Sequence, residues 1–314
     1  MNLDLPALLA QTALLLLLAP LLSGLIRNWK AKLQNRRGPR LAQPCFDLLK
    51  FLRKDTVISE HASWIFSVTP YVLLLTALSA GLMVPMVTAH APMGLFGGAL
   101  AVVGLLALGR FFLALGGLDP ASPFGGMGSS REMTLAAIAE PAMMLAIFTV
   151  AITAGSTNLS QIVLASQGPG WKFVDPSHAL AFAAMFIVLL AETGRIPVDN
   201  PATHLELTMI HEAMLLEYSG RYLAFIEWAA SIKQLVLMTL LANIFFPVGL
   251  AAETTPAAFG RGLLFLVAKL VVLAGAVVLV ETTNAKLRLF RVPDLLSAAF
   301  ILATLALVST FLFR

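Results

Sequence analysis

The sequence predicts an all-α, polytopic membrane protein with about eight transmembrane helices and two long cytoplasmic loops. Three observations carry this. Hydrophobic residues make up 59% of the 314 positions and charged residues only 12%, with a mean hydropathy of +0.87. A soluble domain usually carries about a quarter charged residues, because its folded surface must be wetted. Eight stretches are apolar for about 20 residues, the length that crosses a hydrocarbon core of roughly 30 Å at 1.5 Å per residue. Lysine and arginine also collect in alternate connections, as the positive-inside rule requires.

The first span runs from about Leu5 to Ile26 and contains the block Leu14 to Leu18. It is too long for a signal-peptide core and no small-residue cleavage site follows, so it reads as a retained anchor. The others lie near Ile65 to Thr88, Leu95 to Leu118, Met133 to Ala154, His178 to Ala191, Ile232 to Leu250, Leu263 to Val280 and Leu295 to Phe313. The fifth is the weakest, ending early at Glu192 and Arg195. Without a repeat or a Gly/Ser linker, residues 1–314 form a single integral membrane domain.

Nine basic residues, from Arg27 to Lys54, lie between spans one and two. Adding Arg131, Arg195, Arg221, Lys286, Arg288 and Arg291 puts fifteen on that side, against Lys172, Arg261 and Arg314 on the other. The basic side is assigned to the cytoplasm, with both termini outside the cell membrane. Arg110, Lys233 and Lys269 fall within or at the edges of spans, where a charge costs at least about 2.5 kcal/mol near the bilayer centre. Lys233, close to a span end, is expected to snorkel. Arg110 and Lys269 lie deeper and are candidate buried counter-charges.

The first long loop contains RNWKAKLQNRRGPRLAQPCFDLLKFLRKD. Gly38-Pro39 and Pro44 are expected to turn the chain, and from Asp47 onward apolar and charged residues alternate as in a short interfacial helix. Two readings fit this loop: a lipid anchor or a docking surface for a soluble partner. A single cysteine, Cys45, excludes any iron-sulfur cluster or thiolate zinc site held by this chain alone.

The second long loop, Glu192 to Trp228, holds Glu192, Asp199, Glu206, Glu212, Glu217 and Glu227 with His204 and His211. After Pro197 and Pro201, the stretch Thr203 to Glu217 has helix-forming composition. His204 and His211 would share a face but lie about 10.5 Å apart along the axis, too far to bind one zinc ion. Clustered carboxylates hold and pass protons, because burial and mutual repulsion make each bind a proton more readily. A solvated acidic loop is the plainer alternative. Glu140 lies within span four, beyond Glu132, and an intramembrane carboxylate is a functional candidate by default. Glu132, Glu140, Glu192, Asp199, Glu206, Glu212 and Glu217 are therefore the candidate proton path.

At these residues the chain resembles a known family. AKLQNRRGP followed by QPCFDLLKFLRKD, RFFLALGGLDPASPFGGMGSSRE, and AETGRIPVDN with LLEYSG are similar to the membrane anchor subunit shared by respiratory complex I and group 4 membrane-bound nickel-iron hydrogenases. HLELTMIHE looks more like energy-converting hydrogenases than the quinone branch, and GLDPASPFGGMGSSRE and ETTNAKLRLFRVPD resemble the anchor of formate hydrogenlyase and hydrogenase-4 complexes. The resemblance implies a non-catalytic subunit that docks a peripheral electron-transfer arm and relays protons or charge to ion-translocating subunits. It implies partners: hydrogenase large and small subunit-like proteins and iron-sulfur proteins, carrying a nickel-iron centre and iron-sulfur clusters, and antiporter-like membrane subunits. Arg36, Arg37 and Asp47 would orient the docking loops, and this chain would hold no cofactor. A quinone-site subunit of a complex I-type enzyme is one alternative, and a stand-alone secondary transporter is another.

Overall fold

A computed structural model describes residues 5–94, 96–167, 175–200, 209–251 and 256–312. Eight helices match the eight expected spans: α1 (Leu5–Leu33), α3 (Trp64–Met83), α4 (Ala99–Leu118), α5 (Pro123–Ala154), α7 (Pro176–Glu192), α9 (Gly220–Phe245), α10 (Pro256–Thr283) and α11 (Val292–Leu312). Seven are long and apolar enough to cross a membrane, and α7, at 17 residues, is a shorter apolar helix. Shorter helices α2 (Gln43–Leu52), α6 (Leu159–Ser166) and α8 (His211–Leu215) lie in the connections.

The hydropathy boundaries underestimate several helices. α5 begins at Pro123 and α9 at Gly220, well ahead of the expected Met133 and Ile232. An apolar window finds only the part of a helix that matches lipid, whereas hydrogen bonding continues through polar residues. Local signals set the true ends. Pro123 stands in the first turn of α5, where its missing N–H costs nothing. Gly155, at φ 72°, ends the same helix in the left-handed conformation. Ser63 caps α3 by accepting from the Ile65 N–H, and Asn158 caps α6 through the Ser160 and Gln161 amides. Inside the helices, Thr12, Thr69, Thr76 and Thr149 donate their hydroxyls to the carbonyl four residues back, which satisfies each hydroxyl where water is absent.

Two expectations need correction. Pro44 does not turn the chain but sits in the first turn of α2, which therefore starts at Gln43 rather than near Asp47. Of the expected helix from Thr203 to Glu217, the described residues 209–217 are helical only in α8. Asp199 accepts from the Ile210 and His211 N–H groups at 3.3 and 3.2 Å, so these donors sit at a helix start and not within one. Residues 201–208, including His204 and Glu206, lie outside the described residues.

Hydrogen bonds between connections reproduce the alternation inferred from charge. At one end, Ser63 donates its N–H and its hydroxyl to the two carboxylate oxygens of Asp119. There too the Val57 N–H donates to the Ser219 hydroxyl, and the Leu287 N–H to the Pro197 carbonyl. At the other end, Ala89 and Val87 pair with Ala251, and Ala99 pairs with Thr157. The basic connections thus share one end of the bundle.

α9 is the central helix, buried almost continuously from Gln234 to Phe245 and packed against α1, α3 and α7. α11 lies against α5 and α7. Two glycines permit close backbone crossings: a Cβ on Gly24 would stand 2.0 Å from the Leu41 carbonyl oxygen, and one on Gly125 would stand 2.0 Å from that of Gly117. The first seats the α1–α2 loop on α1, and the second tightens the α4–α5 corner. At the α8–α9 corner Tyr218 stacks on Phe66, with ring centroids 4.0 Å apart.

Candidate functional site

The site is built around Arg110, which α4 carries into the middle of the bundle. Its side chain is only 3% exposed. α5 brings two carboxylates to it, Glu140 at 2.9 Å from one terminal nitrogen and Glu132 at 3.5 Å from Nε. The two are eight residues apart, a rise of about 12 Å, so they reach the guanidinium from opposite directions along the helix. Glu192, the last residue of α7, hydrogen-bonds the other terminal nitrogen. Only arginine offers a planar fork of five donors able to hold three carboxylates at once.

Glu192 passes the charge on. Its Oε2 also lies 2.8 Å from the Lys233 ammonium of α9. Lys233 therefore does not snorkel as expected: a buried carboxylate within reach outcompetes the interface. Its neighbour Gln234 begins a second cluster. Gln234 Oε1 accepts from Arg195 at 2.9 Å and from the Ser23 hydroxyl at 3.2 Å. Arg195 lies 3.3 Å from Glu281 Oε1 of α10, and Lys30 of α1 lies 2.9 Å from Oε2 of the same carboxylate. Burial pulls the Arg195 guanidinium below its ordinary pKa, and Glu281 opposes that.

Two clusters thus meet at adjacent residues of α9. The first has three carboxylates (Glu132, Glu140, Glu192) and two cations (Arg110, Lys233). The second has one carboxylate (Glu281) and two cations (Lys30, Arg195). Together they balance, four against four. Beside the first cluster is a cavity of about 20 Å³ whose wall includes Arg110, Glu132, Glu192, Asp199 and His211. That is room for about one water.

The other sequence candidates fall elsewhere. Asp199 is buried and fully engaged, bound by Lys286 at 3.0 Å and by the Asn200, Ile210 and His211 amides. This makes it the clasp of the second loop. Glu212 is half-buried and Glu217 exposed on and just after α8, and neither touches Arg110. Lys269 is far from the carboxylates and donates to Asn243 at 3.1 Å. Arg36 and Arg37 are exposed, whereas Asp47 accepts from Gln43 within α2. Among the described residues, no three His, Cys, Asp or Glu side chains converge as a metal site. Glu281, Lys30 and Arg195 were not legible as a cluster. The available signal was Glu281 itself, a carboxylate placed directly after the apolar run Leu263 to Val280.

Fold and site together define a multi-pass membrane protein with a layer of linked charges running through its helices. The chain belongs to the NADH dehydrogenase family, whose model matches residues 6–312. It is 35% identical over 302 residues to formate hydrogenlyase subunit 4 of Escherichia coli K12, covering 96% of this chain and 97% of that protein. It is 34% identical over 301 residues to hydrogenase-4 component C of the same organism, covering 96% and 94%. Identity to a subunit of the NADH-quinone oxidoreductase of Paraburkholderia phymatum is 28% over 268 residues, covering 81% and 73%. Among solved structures, a chain of the membrane-bound sulfane sulfur reductase, an archaeal respiratory membrane complex, shares the fold at a TM-score of 0.80 and 21% identity, covering 96% of this chain and 98% of that one.

Proposed function

We propose that this chain is the membrane anchor and coupling subunit of a complex I-like oxidoreductase of the hydrogenase type. It docks a peripheral electron-transfer arm and relays protons or charge toward ion-translocating membrane subunits. Partner proteins carry the nickel-iron centre and the iron-sulfur clusters. The basic end faces the cytoplasm and both termini lie outside. Near end-to-end similarity to the formate hydrogenlyase and hydrogenase-4 proteins, against partial coverage of the NADH-quinone oxidoreductase relative, favours this branch over a quinone reductase.

The observation that carries the relay is the imbalance of the Arg110 cluster. Three carboxylates against two cations leave one negative charge, which a single proton neutralises. The one-water cavity beside this cluster, walled in part by Glu132 and His211, supports proton entry next to the second loop. A redox change in the docked arm would shift the protonation of this cluster, and Lys233 and Gln234 would transmit the change to the Glu281 cluster.

The deciding experiment purifies the tagged protein from its own membranes in mild detergent, followed by metal analysis and assays for hydrogen and quinone. Nickel with viologen-linked hydrogen evolution supports the proposal. Quinone reduction without nickel points to the complex I branch, and ion movement by the isolated chain in liposomes points to a stand-alone transporter. Within an active complex, Glu140→Gln should leave donor oxidation by an artificial acceptor intact while lowering coupled ion transport. Unaltered coupling would remove Glu140 from the path.

A further inference from the structure

Lys269 stands apart from the charge layer, near the middle of α10. It is twelve residues from Glu281 and thirteen from Pro256, about 18 and 20 Å along the helix axis. A lysine can reach an interface only from near a helix end, so at this depth it cannot snorkel. Its partner is the neutral side chain of Asn243, which is 1% exposed. Asn243 is fixed in turn: its amide nitrogen donates to the Pro85 and Met86 carbonyls at 2.9 Å each, which turns its oxygen toward the ammonium. The arrangement aims a cation and holds it, yet supplies no carboxylate among the described residues. An ammonium has three donors, and one neutral acceptor leaves a charge in a low-dielectric layer without compensation.

The neighbouring residues of α10 differ in exposure. Phe265 and Val272, four residues before Lys269 and three after it, share its face of the helix and are 43% and 70% exposed. Ala268 is exposed on the same side and Ala276 half-exposed, small residues that let a second helix approach closely. α10 packs mainly on α1 and α9, and Phe265 also lies against Gly249, so the exposed part of this face is centred on Ala268 and Val272.

We propose that the face of α10 around Lys269 is an intramembrane interface, filled by a transmembrane helix of another membrane protein of the complex that carries an Asp or Glu carboxylate against the ammonium. This rests on the reading of the chain as one subunit of a membrane complex. The partner is defined by its chemistry: a carboxylate near mid-membrane on a helix able to pack against small residues.

The test uses the intact complex, isolated through a tag on this chain. In a Cys45→Ser background, Val272→Cys is coupled to a maleimide-benzophenone reagent, irradiated, and the crosslinked peptide sequenced. The expected product joins α10 to a membrane helix bearing an Asp or Glu within about two turns of the crosslink. Lys269→Met, which makes α10 more apolar and so preserves insertion, should reduce recovery of that one partner about tenfold while the soluble arm stays at its wild-type ratio. Neutralising the partner carboxylate in the Lys269→Met background should restore recovery. A crosslink to a helix lacking a carboxylate, no protein crosslink, or unchanged recovery in Lys269→Met would overturn the interface while leaving the subunit reading intact. If the wild-type chain purifies with no other protein at all, both fall together.

Discussion

Replacing Arg110 with Met removes a guanidinium that contacts three carboxylates. Breaking a buried ion pair by deleting one partner typically costs about 3–5 kcal/mol, because the remaining charge stays desolvated. Here the cost divides unevenly. Glu192 retains Lys233 at 2.8 Å, and the Glu140 side chain, a third exposed, recovers some hydration. Glu132, at 17% exposed, recovers less. The lower end of the range, about 3 kcal/mol, is therefore expected. For a chain of this length that lowers a detergent melting midpoint by about 5 °C, measured by fluorescence-detected size exclusion after heating. The double variant Arg110→Met/Glu140→Gln leaves Glu192 paired with Lys233 and only Glu132 unmatched, so it should recover the smaller part of the loss that Glu140 carries. Glu140→Gln alone should cost under about 1 kcal/mol. If Arg110→Met melts within about 1 °C of the parent, or if the two single losses simply add in the double variant, the three carboxylates do not act as one cluster.

Three further expectations probe the rest of the charge layer and the basic end. Glu281→Gln leaves Lys30 and Arg195 as close buried cations and should cost about 2–4 kcal/mol, with part of the loss recovered by adding Lys30→Met; an unchanged melting midpoint would dissolve the second cluster. Asp199→Asn removes the partner of Lys286 and weakens the bonds to the Ile210 and His211 amides, a loss of about 1–3 kcal/mol local to the second loop. Amide exchange at Ile210 and His211 should then quicken about tenfold or more, and retained protection would show that another group holds the loop. Reversing the exposed Arg36 and Arg37 to Glu should leave the fold intact but release the soluble arm from isolated membranes; normal retention would favour the lipid-anchor reading of that loop.

Class and topology were legible because they depend on summed properties. Eight apolar lengths and the uneven spread of lysine and arginine do not require knowing which way any side chain points. The site was legible only as a set of candidates. Arg110, Glu132, Glu140 and Glu192 stand out because charge within an apolar run is costly, and the helices bring these four together. Their pairing could not be read, since Arg110 meets Glu192 across 82 positions of sequence. In the sequence, Lys30 and Arg195 read as loop charges that set orientation. That remains compatible with the topology, but both side chains turn inward to Glu281. Asp199 illustrates the converse: its acidity is visible in the sequence, but its bonds to the Ile210 and His211 amides and to Lys286 are not. A carboxylate's chemistry is visible in sequence, but its hydrogen-bond partners are not.

The arrangement on α9 explains how two clusters of opposite net charge can act together. Successive residues on a helix point about 100° apart, so Lys233 and Gln234 face different neighbours from one rigid element. Lys233 addresses Glu192 and hence Arg110, while Gln234 addresses Arg195 and hence Glu281. Glu192 is the carboxylate that Arg110 and Lys233 share. On the proposed relay, a proton taken up at Glu132 or Glu140 frees Arg110 to bind Glu192 more tightly, which weakens the hold of Glu192 on Lys233. Charges about 4 Å apart near a protein surface interact by about 4 kcal/mol, enough for one proton to change which partner dominates. The consequence passes along α9 to the cations around Glu281 without any group having to cross the membrane. Relay in this form requires Lys233 specifically. Lys233→Gln should uncouple the two clusters while leaving the Arg110 triad assembled, and coupled ion transport that survived this change would place the path elsewhere.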